Sequence, residues 1–192
     1  MKANEAKLVQ VTFTLNKMTC PPVKLNNDHL PQADEVKYLD IHLDRRLTWR
    51  KHITTKQKQL DLKLRNLYWI IGLKSQLSLE NKLQVYKVIL KPAWTYGIQL
   101  WRTASNSNLE ILERFQPKVL SIITDAPWYV PNTVIKSDLQ IPTFKQEARK
   151  FSAKYRKRLD THPNNLANTL FQEQFGTRRL KRLYPTDLVT NR

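Results

Sequence analysis

Glycine is scarce. The three in 192 residues (Gly72, Gly97, Gly176) exclude a glycine-rich loop that cradles phosphate with backbone amides. Cysteine is nearly absent: the single Cys20 excludes an internal disulfide framework and a cysteine-rich zinc module. It also predicts a reducing compartment, nucleus or cytoplasm. The four histidines, His29, His42, His52 and His162, show no metal-ligand spacing, so no structural metal is expected. No apolar run approaches the roughly 20 residues that span a bilayer. Nothing after residues 1–5 resembles the apolar core of a secretory signal, so neither secretion nor a membrane partner is expected. There is no Asp-Asp pair, and Asp34-Glu35 would point to opposite faces of a strand. Asp40 and Asp44 would lie more than about 12 Å apart on an extended chain, a poor pair for converging on one cation. No positioned base accompanies Cys20 or any serine. No catalytic residue is therefore nominated.

Acidic residues are also few, and this shortage is the strongest signal. Against 16 Asp/Glu stand 33 Lys/Arg, a formal charge of +17. The excess is uneven: residues 1–50 hold eight Lys/Arg and six Asp/Glu, whereas residues 51–192 hold 25 and ten. A chain this basic meets a polyanion, nucleic acid before an anionic membrane surface.

The N-terminal part reads as short β segments. Leu8–Leu15 alternates and predicts a strand. Cys20-Pro21-Pro22 punctuates, and Asn26-Asn27-Asp28 between Val23–Leu25 and His29–Pro31 predicts a tight hairpin. Val36–Asp44 reads as one continuous strand, with Leu39, Ile41 and Leu43 on one face and Tyr38, Asp40, His42 and Asp44 on the other. Four such segments are too little sheet to stand alone. A piece of a larger protein is the expectation.

Helical periodicity then takes over. Thr48 caps a helix to about Leu73, with Gly72 near its end. Trp49, Ile53, Leu60, Leu64, Leu67 and Ile71 form its apolar stripe, and Lys51, Lys58 and Arg65 point the opposite way. Ser78 opens a second helix to about Trp101 with a seam of Leu79, Leu83, Tyr86, Leu90, Ala93 and Leu100. Pro92 should kink or split it near Leu90-Lys91, and Gly97 continues the seam. Ser107-x-x-Glu110 matches a capping box for a third helix, interrupted by Pro117. These three make an antiparallel bundle. Residues 126–132 form a loop, a short helix runs to about Leu139, and Thr143-x-x-Gln146 caps a basic helix to about Leu159. Phe144, Ala148, Phe151 and Tyr155 are its apolar stripe. Arg178–Arg182 is a basic cluster that reads as a phosphate contact, with a nuclear localisation signal as the rival reading and a membrane-surface element as a weaker one.

What remains is binding. Lys51, Lys58 and Arg65, and Lys150, Lys154 and Lys157, are the candidate phosphate contacts. The aromatics Tyr38, Trp49, Tyr68, Trp69, Trp94, Trp101, Trp128 and Tyr129 are candidates for base stacking, with core positions the commoner fate for each.

Several stretches in order carry a resemblance. They are Val36-Lys37-Tyr38-Leu39 through Leu47-Thr48-Trp49, Ile89-Leu90-Lys91-Pro92-x-Trp94-Thr95-Tyr96-Gly97, Asn108-x-Glu110-Ile111-Leu112-x-Arg114-Phe115-Gln116, Ala126-Pro127-Trp128-Tyr129-Val130 and Asp138-Leu139-Gln140-Ile141-Pro142. Together they resemble the C-terminal part of jockey-type non-LTR retrotransposon reverse transcriptases, over nearly the whole chain. The resemblance implies an α+β, mostly α fold. Residues 1–46 would be the end of a polymerase palm with its primer-grip hairpin, 47–126 a thumb-like three-helix bundle, and 127–192 a basic helical C-terminal region. It implies that Tyr38, Leu39 and Asp40 lie at the primer end, that Asn4-x-x-Lys7 ends a palm motif whose lysine handles nucleotide or pyrophosphate, and that the partner is an RNA–DNA hybrid, RNA or DNA. The palm and fingers half of the polymerase would be a further partner. The paired aspartates that hold Mg2+ would lie upstream, so this chain would hold no cofactor and would not polymerise alone. Three positions depart from the pattern: Asp40 stands where glycine is usual, Leu8 follows Lys7 where a small hydroxyl residue is usual, and Pro117 falls inside a bundle helix. These departures fit a decayed copy. A stand-alone basic binding or adaptor protein derived from such an element, and a non-functional remnant, stay open beside the polymerase reading.

Overall fold

The structure, a computed structural model, describes residues 8–16, 20–25, 28–164 and 166. Its chain divides into two compact units, residues 1–52 and 53–192.

The first unit is built of two antiparallel hairpins. Strands β1 (Lys24–Leu25) and β2 (Asp28–His29) pair with Leu25 opposite Asp28, as the Asn-Asn-Asp composition predicts. Strands β3 (Glu35–Tyr38) and β4 (Ile41–Asp44) pair from Glu35 opposite Asp44 to Tyr38 opposite Ile41. Val36–Asp44 is therefore a hairpin and not one strand. The chain reverses at Leu39-Asp40, where both residues have positive φ, 46° and 61°. Such a pair is the requirement of a type I′ turn, whose twist matches its flanking strands. Asp tolerates that region and Leu does not, which is why the pattern hid the turn. Leu39 is consequently exposed at the tip instead of sharing a buried face with Ile41.

Leu8–Leu15 is not a strand either. Its backbone bonds to the rest at Gln10 and Thr14: Gln10 N–H donates to the Pro31 carbonyl at 2.9 Å, the Gln10 carbonyl accepts from Ala33 N–H at 3.0 Å, and Thr14 N–H donates to the Arg45 carbonyl at 3.1 Å, with one isolated parallel bridge to Gln32. Alternation alone makes no ladder without a neighbouring edge of matching length; Val9, Phe13 and Leu15 stay exposed. After β4, the Asp44 carboxylate accepts the backbone N–H groups of Thr48 (2.8 Å) and Trp49 (2.9 Å). The Thr48 hydroxyl accepts that of Arg50 at 3.3 Å, so the first helix starts where predicted.

Helix α1 (Arg50–Ile71) keeps most of the predicted stripe: Ile53, Leu60, Leu64 and Ile71 are buried, as is Trp49 just before it, while Leu67 is half-buried. It stops at Gly72, where an added Cβ would lie 2.6 Å from the Tyr68 carbonyl oxygen. The Gly72 carbonyl accepts from the buried Lys82 ammonium at 3.0 Å.

The second predicted helix is present in pieces, and the pieces explain its seam. Ser78 caps α2 (Leu79–Val85), its side chain accepting the Asn81 N–H. A π-helical turn spans Tyr86–Leu90, with the Lys91 N–H reaching back to the Tyr86 carbonyl, and α3 (Lys91–Thr95) follows. Pro92 thus enters at the start of a new helix, where its missing N–H is least costly. The π turn advances the register by one residue. The buried row consequently becomes Tyr86, Leu90, Trp94, Ile98 and Trp101, not the predicted one ending Ala93 and Leu100; Leu79 is exposed. Gly97 does not continue the seam: it breaks the helix at φ 65°, a left-handed conformation that glycine adopts without strain, before α4 (Ile98–Trp101).

The third predicted helix is also split, into α5 (Asn106–Glu113) and α6 (Phe115–Thr124). Helix α5 begins after Ser105, so the Ser107–Glu110 capping box does not form. Pro117 sits in the first turn of α6, where no intrahelical partner awaits its N–H. The break at Arg114 removes the penalty expected of a mid-helix proline, and Pro117 is no mark of decay. Helix α7 (Asn132–Asp138) precedes α8 (Phe144–Asp160), which carries the full predicted capping box: Thr143 Oγ1 accepts from Gln146 N–H while Gln146 Oε1 accepts from Thr143 N–H. The buried row of α8 is Phe144, Ala148, Ser152 and Leu159; Phe151 and Tyr155 are half-buried. Phe144 stacks on Trp94 at 5.0 Å and tilts against Trp101 at 5.5 Å, which fastens α8 to α3 and α4.

Two polar links cross this core. Lys91 Nζ pairs with Glu147 Oε1 at 2.6 Å, and Gln116 Nε2 donates to the Tyr86 hydroxyl (3.2 Å) and the Pro142 carbonyl (3.0 Å). Burial pushes the Tyr86 phenol up to about 12, against the opposing hydrogen bond from Gln116.

Candidate nucleic-acid interface

An α-helix turns 100° per residue, so positions 51, 58, 62, 65 and 69 of α1 fall within an arc of about 60°. Lys51, Lys58, Leu62, Arg65 and Trp69 are all exposed, opposite the buried stripe. The row is about 27 Å long at 1.5 Å per residue. Its side chains alternate cation and hydrocarbon, and Trp69 stands 76% exposed near its C-terminal end. Among the described residues no carboxylate pairs with Lys58 or Arg65. Lys51 differs: its ammonium lies 3.1 Å from the Glu35 carboxylate. The three predicted cations of this helix are therefore together, and one of them is engaged.

Leu62 and Trp69 complete the row, and sequence periodicity assigned neither to it. The signal was available, since both fall four residues after a cation of the set. Unstriped apolar residues read as ordinary scatter on a solvated face.

The second predicted set forms another row. Lys150, Lys154 and Lys157 are exposed on one face of α8. That face lies away from Ala148 and Ser152, which are buried, and the row stands on a different helix from the first. Tyr38, Leu39 and Asp40 are exposed at the β3–β4 tip, where Lys37 Nζ meets Asp40 Oδ1 at 2.9 Å. Lys7 and the Arg178–Arg182 cluster lie outside the described residues.

The aromatics divide sharply. Trp49, Trp94 and Trp101 are core; Tyr38, Tyr68, Trp69, Trp128 and Tyr129 are exposed. Trp128 and Tyr129 meet edge to face at 6.0 Å in the loop between α6 and α7. A wet indole or phenol offers a π-face to a base or sugar, which a buried one cannot.

Among the described residues no group of three His, Cys, Asp or Glu side chains could hold a metal ion, and no helix is long and apolar enough to cross a membrane.

Comparison with known proteins finds relatives among polymerases of mobile elements. The chain is 42% identical over 187 residues to the probable RNA-directed DNA polymerase from transposon X-element of Drosophila melanogaster. It is 37% identical over 194 residues to the RNA-directed DNA polymerase from mobile element jockey of Drosophila funebris, and 33% identical over 184 residues to the probable RNA-directed DNA polymerase from transposon BS of Drosophila melanogaster. These matches cover 95 to 97% of this chain and 20 to 21% of the relatives. The chain thus matches jockey-type and other non-LTR retrotransposon polymerases and spans about a fifth of the length of the curated relatives it matches. No family model matches, and no solved structure matches.

Proposed function

We propose that this chain supplies the primer- and template-holding part of an RNA-directed DNA polymerase of a non-LTR retrotransposon, and that the outer face of α1 is its principal contact with an RNA–DNA hybrid. The single observation that carries this is the row Lys58, Leu62, Arg65 and Trp69: cations without carboxylate partners among the described residues, interleaved with apolar groups, along one exposed helix face. Lysine and arginine neutralise phosphates and release counterions, which provides affinity without regard to sequence. Leucine and tryptophan between them pack on sugars, where a purely ionic face would leave a wet gap. The lysine row of α8 is a second backbone contact, and the Tyr38–Asp40 tip is the primer-end contact. Chemistry belongs to aspartates supplied from elsewhere in the polymerase, with Mg2+ held there.

The test is binding of the 192-residue chain to a labelled RNA–DNA hybrid, single-stranded RNA and duplex DNA across a salt series. The wild type should prefer the hybrid. Lys58→Ala with Arg65→Ala should flatten the slope of log affinity against log salt by about two. Trp69→Ala should weaken hybrid binding without altering the slope. Equal binding to all three nucleic acids, with an unaltered slope in the double variant, would retire α1 as the interface.

A further inference from the structure

Arg102 follows α4 in a segment that is buried throughout. Trp101, Arg102, Thr103 and Ala104 are 0%, 9%, 8% and 4% exposed. Trp101 wedges against Phe144 of α8, its indole N–H donates to the Tyr96 carbonyl, and the Thr103 hydroxyl donates to the Leu100 carbonyl. These contacts hold the backbone and the stem of Arg102 inward. Yet among the described residues its guanidinium has no hydrogen bond and no carboxylate within ion-pair distance. The nearby charges are Glu113 at the end of α5 and Arg149 on α8. Lys136 of α7, half-buried, faces the same Glu113, also without an ion pair.

Arg102 and Lys136 thus share the influence of one carboxylate, and Arg102 also feels the charge of Arg149. Burial acts against the charge on both Arg102 and Lys136, with Glu113 the opposing influence. An arginine cannot shed its proton at neutral pH, so its charge stays and the desolvation cost stays with it. Among the described residues Glu113 offsets part of that cost, without an ion pair, and burial remains the larger influence. Arg149 is exposed and Lys136 half-buried, so the cluster is reached from solvent past these two side chains.

We propose that Arg102, Lys136 and Arg149 form a phosphate site for one phosphodiester group of bound nucleic acid, beside the packing of α4 on α8. Guanidinium offers its paired N–H groups to two phosphate oxygens, while Lys136 and Arg149 act as flanking charges. The site rests on the nucleic-acid reading of the chain but not on the α1 face, and it makes the region beyond α4 a second anchor.

Arg102→Met preserves the length of the stem and removes the charge. In the 192-residue chain it should lower affinity for a short RNA–DNA hybrid about tenfold and flatten the salt slope by about one. It should also raise the melting temperature of the free chain, because a charge that burial opposes is gone. A merely structural arginine would lower it. Lys136→Met, at a more open position, should flatten the slope by a similar amount with an unchanged fold by circular dichroism. If Lys136→Met and Arg149→Met both keep the wild-type slope, the site is overturned whatever Arg102→Met does. It is overturned as well if Arg102→Met binds like the wild type. Lys58→Ala with Arg65→Ala, run alongside, separates the two readings: a wild-type slope there with a flattened one in Arg102→Met removes α1 and keeps this site.

Discussion

Lys91 and Arg102 are both long cations carried into the second unit, eleven positions apart along one broken helix, and they meet opposite surroundings. Lys91 finds Glu147, itself only 2% exposed, at 2.6 Å. Arg102 is the more buried of the two by residue exposure and finds no carboxylate at that range. The first arrangement is complete within the chain. Its ion pair ties the start of α3 to α8, beside the Trp94–Phe144 stack. The second arrangement is incomplete, and a folded chain retains such a feature at a cost. A buried charge with its partner speaks of architecture; one without speaks of a ligand.

Breaking the complete side of this contrast should have the largest effect. Lys91→Met leaves Glu147 buried and alone, which should cost about 3–5 kcal/mol of stability in a urea titration. Replacing both, Lys91→Met with Glu147→Leu, should recover most of that loss. If the single and double variants unfold at the same denaturant concentration, the pair is not the tie between α3 and α8. Arg102→Met should move stability the other way.

Next in size is Tyr86, a buried polar group whose hydroxyl is satisfied by Gln116. Its folded pKa of about 12 stands above the ordinary value of 10.0. Between those values the unfolded phenol has already lost its proton and the folded one has not. Stability is therefore fully present below about pH 10 and falls as pH rises toward 12, by about 2–3 kcal/mol in all. Alkaline unfolding curves of the wild type and Tyr86→Phe should differ by that amount across this window and run parallel below it. A constant offset would mean that Tyr86 ionises no differently when folded.

How much of this was legible follows the same division. Helix α1, its stripe, the Ser78 cap and the Thr143–Gln146 box were readable because each depends on residues within a few positions of one another. The exposed α1 cations were readable for the same reason. The turn at Leu39-Asp40 was hidden because leucine hardly ever takes positive φ. The seam beyond Tyr86 was hidden because a π turn leaves no mark in hydrophobic periodicity except a slip of one residue, for which Pro92 supplied only the place. Ser152 and Glu147 on α8 were passed over because polar residues do not read as core until their partners are known. Arg102 and Lys136 left no trace at all. What marks them is that burial acts against both charges, and spacing along the chain carries nothing of that.

The contrast between engaged and unengaged cations reaches its mildest form on α1. Lys51 is held by Glu35 at 3.1 Å in a pair that is about half exposed on both sides, whereas Lys58 and Arg65 have no such partner among the described residues. Water screens an exposed pair of this kind, so Glu35→Gln should change stability by less than about 1 kcal/mol. Its effect should appear in binding instead. Removing the Glu35 charge weakens one hold on Lys51, and the salt slope for the RNA–DNA hybrid should steepen by up to about one. The converse variant, Lys51→Ala, should flatten the slope less than Lys58→Ala does, because it removes a charge that Glu35 already holds. If Lys51→Ala and Lys58→Ala flatten it equally, the Glu35 pair does not compete with phosphate, and an exposed partner leaves a cation as available as no partner would.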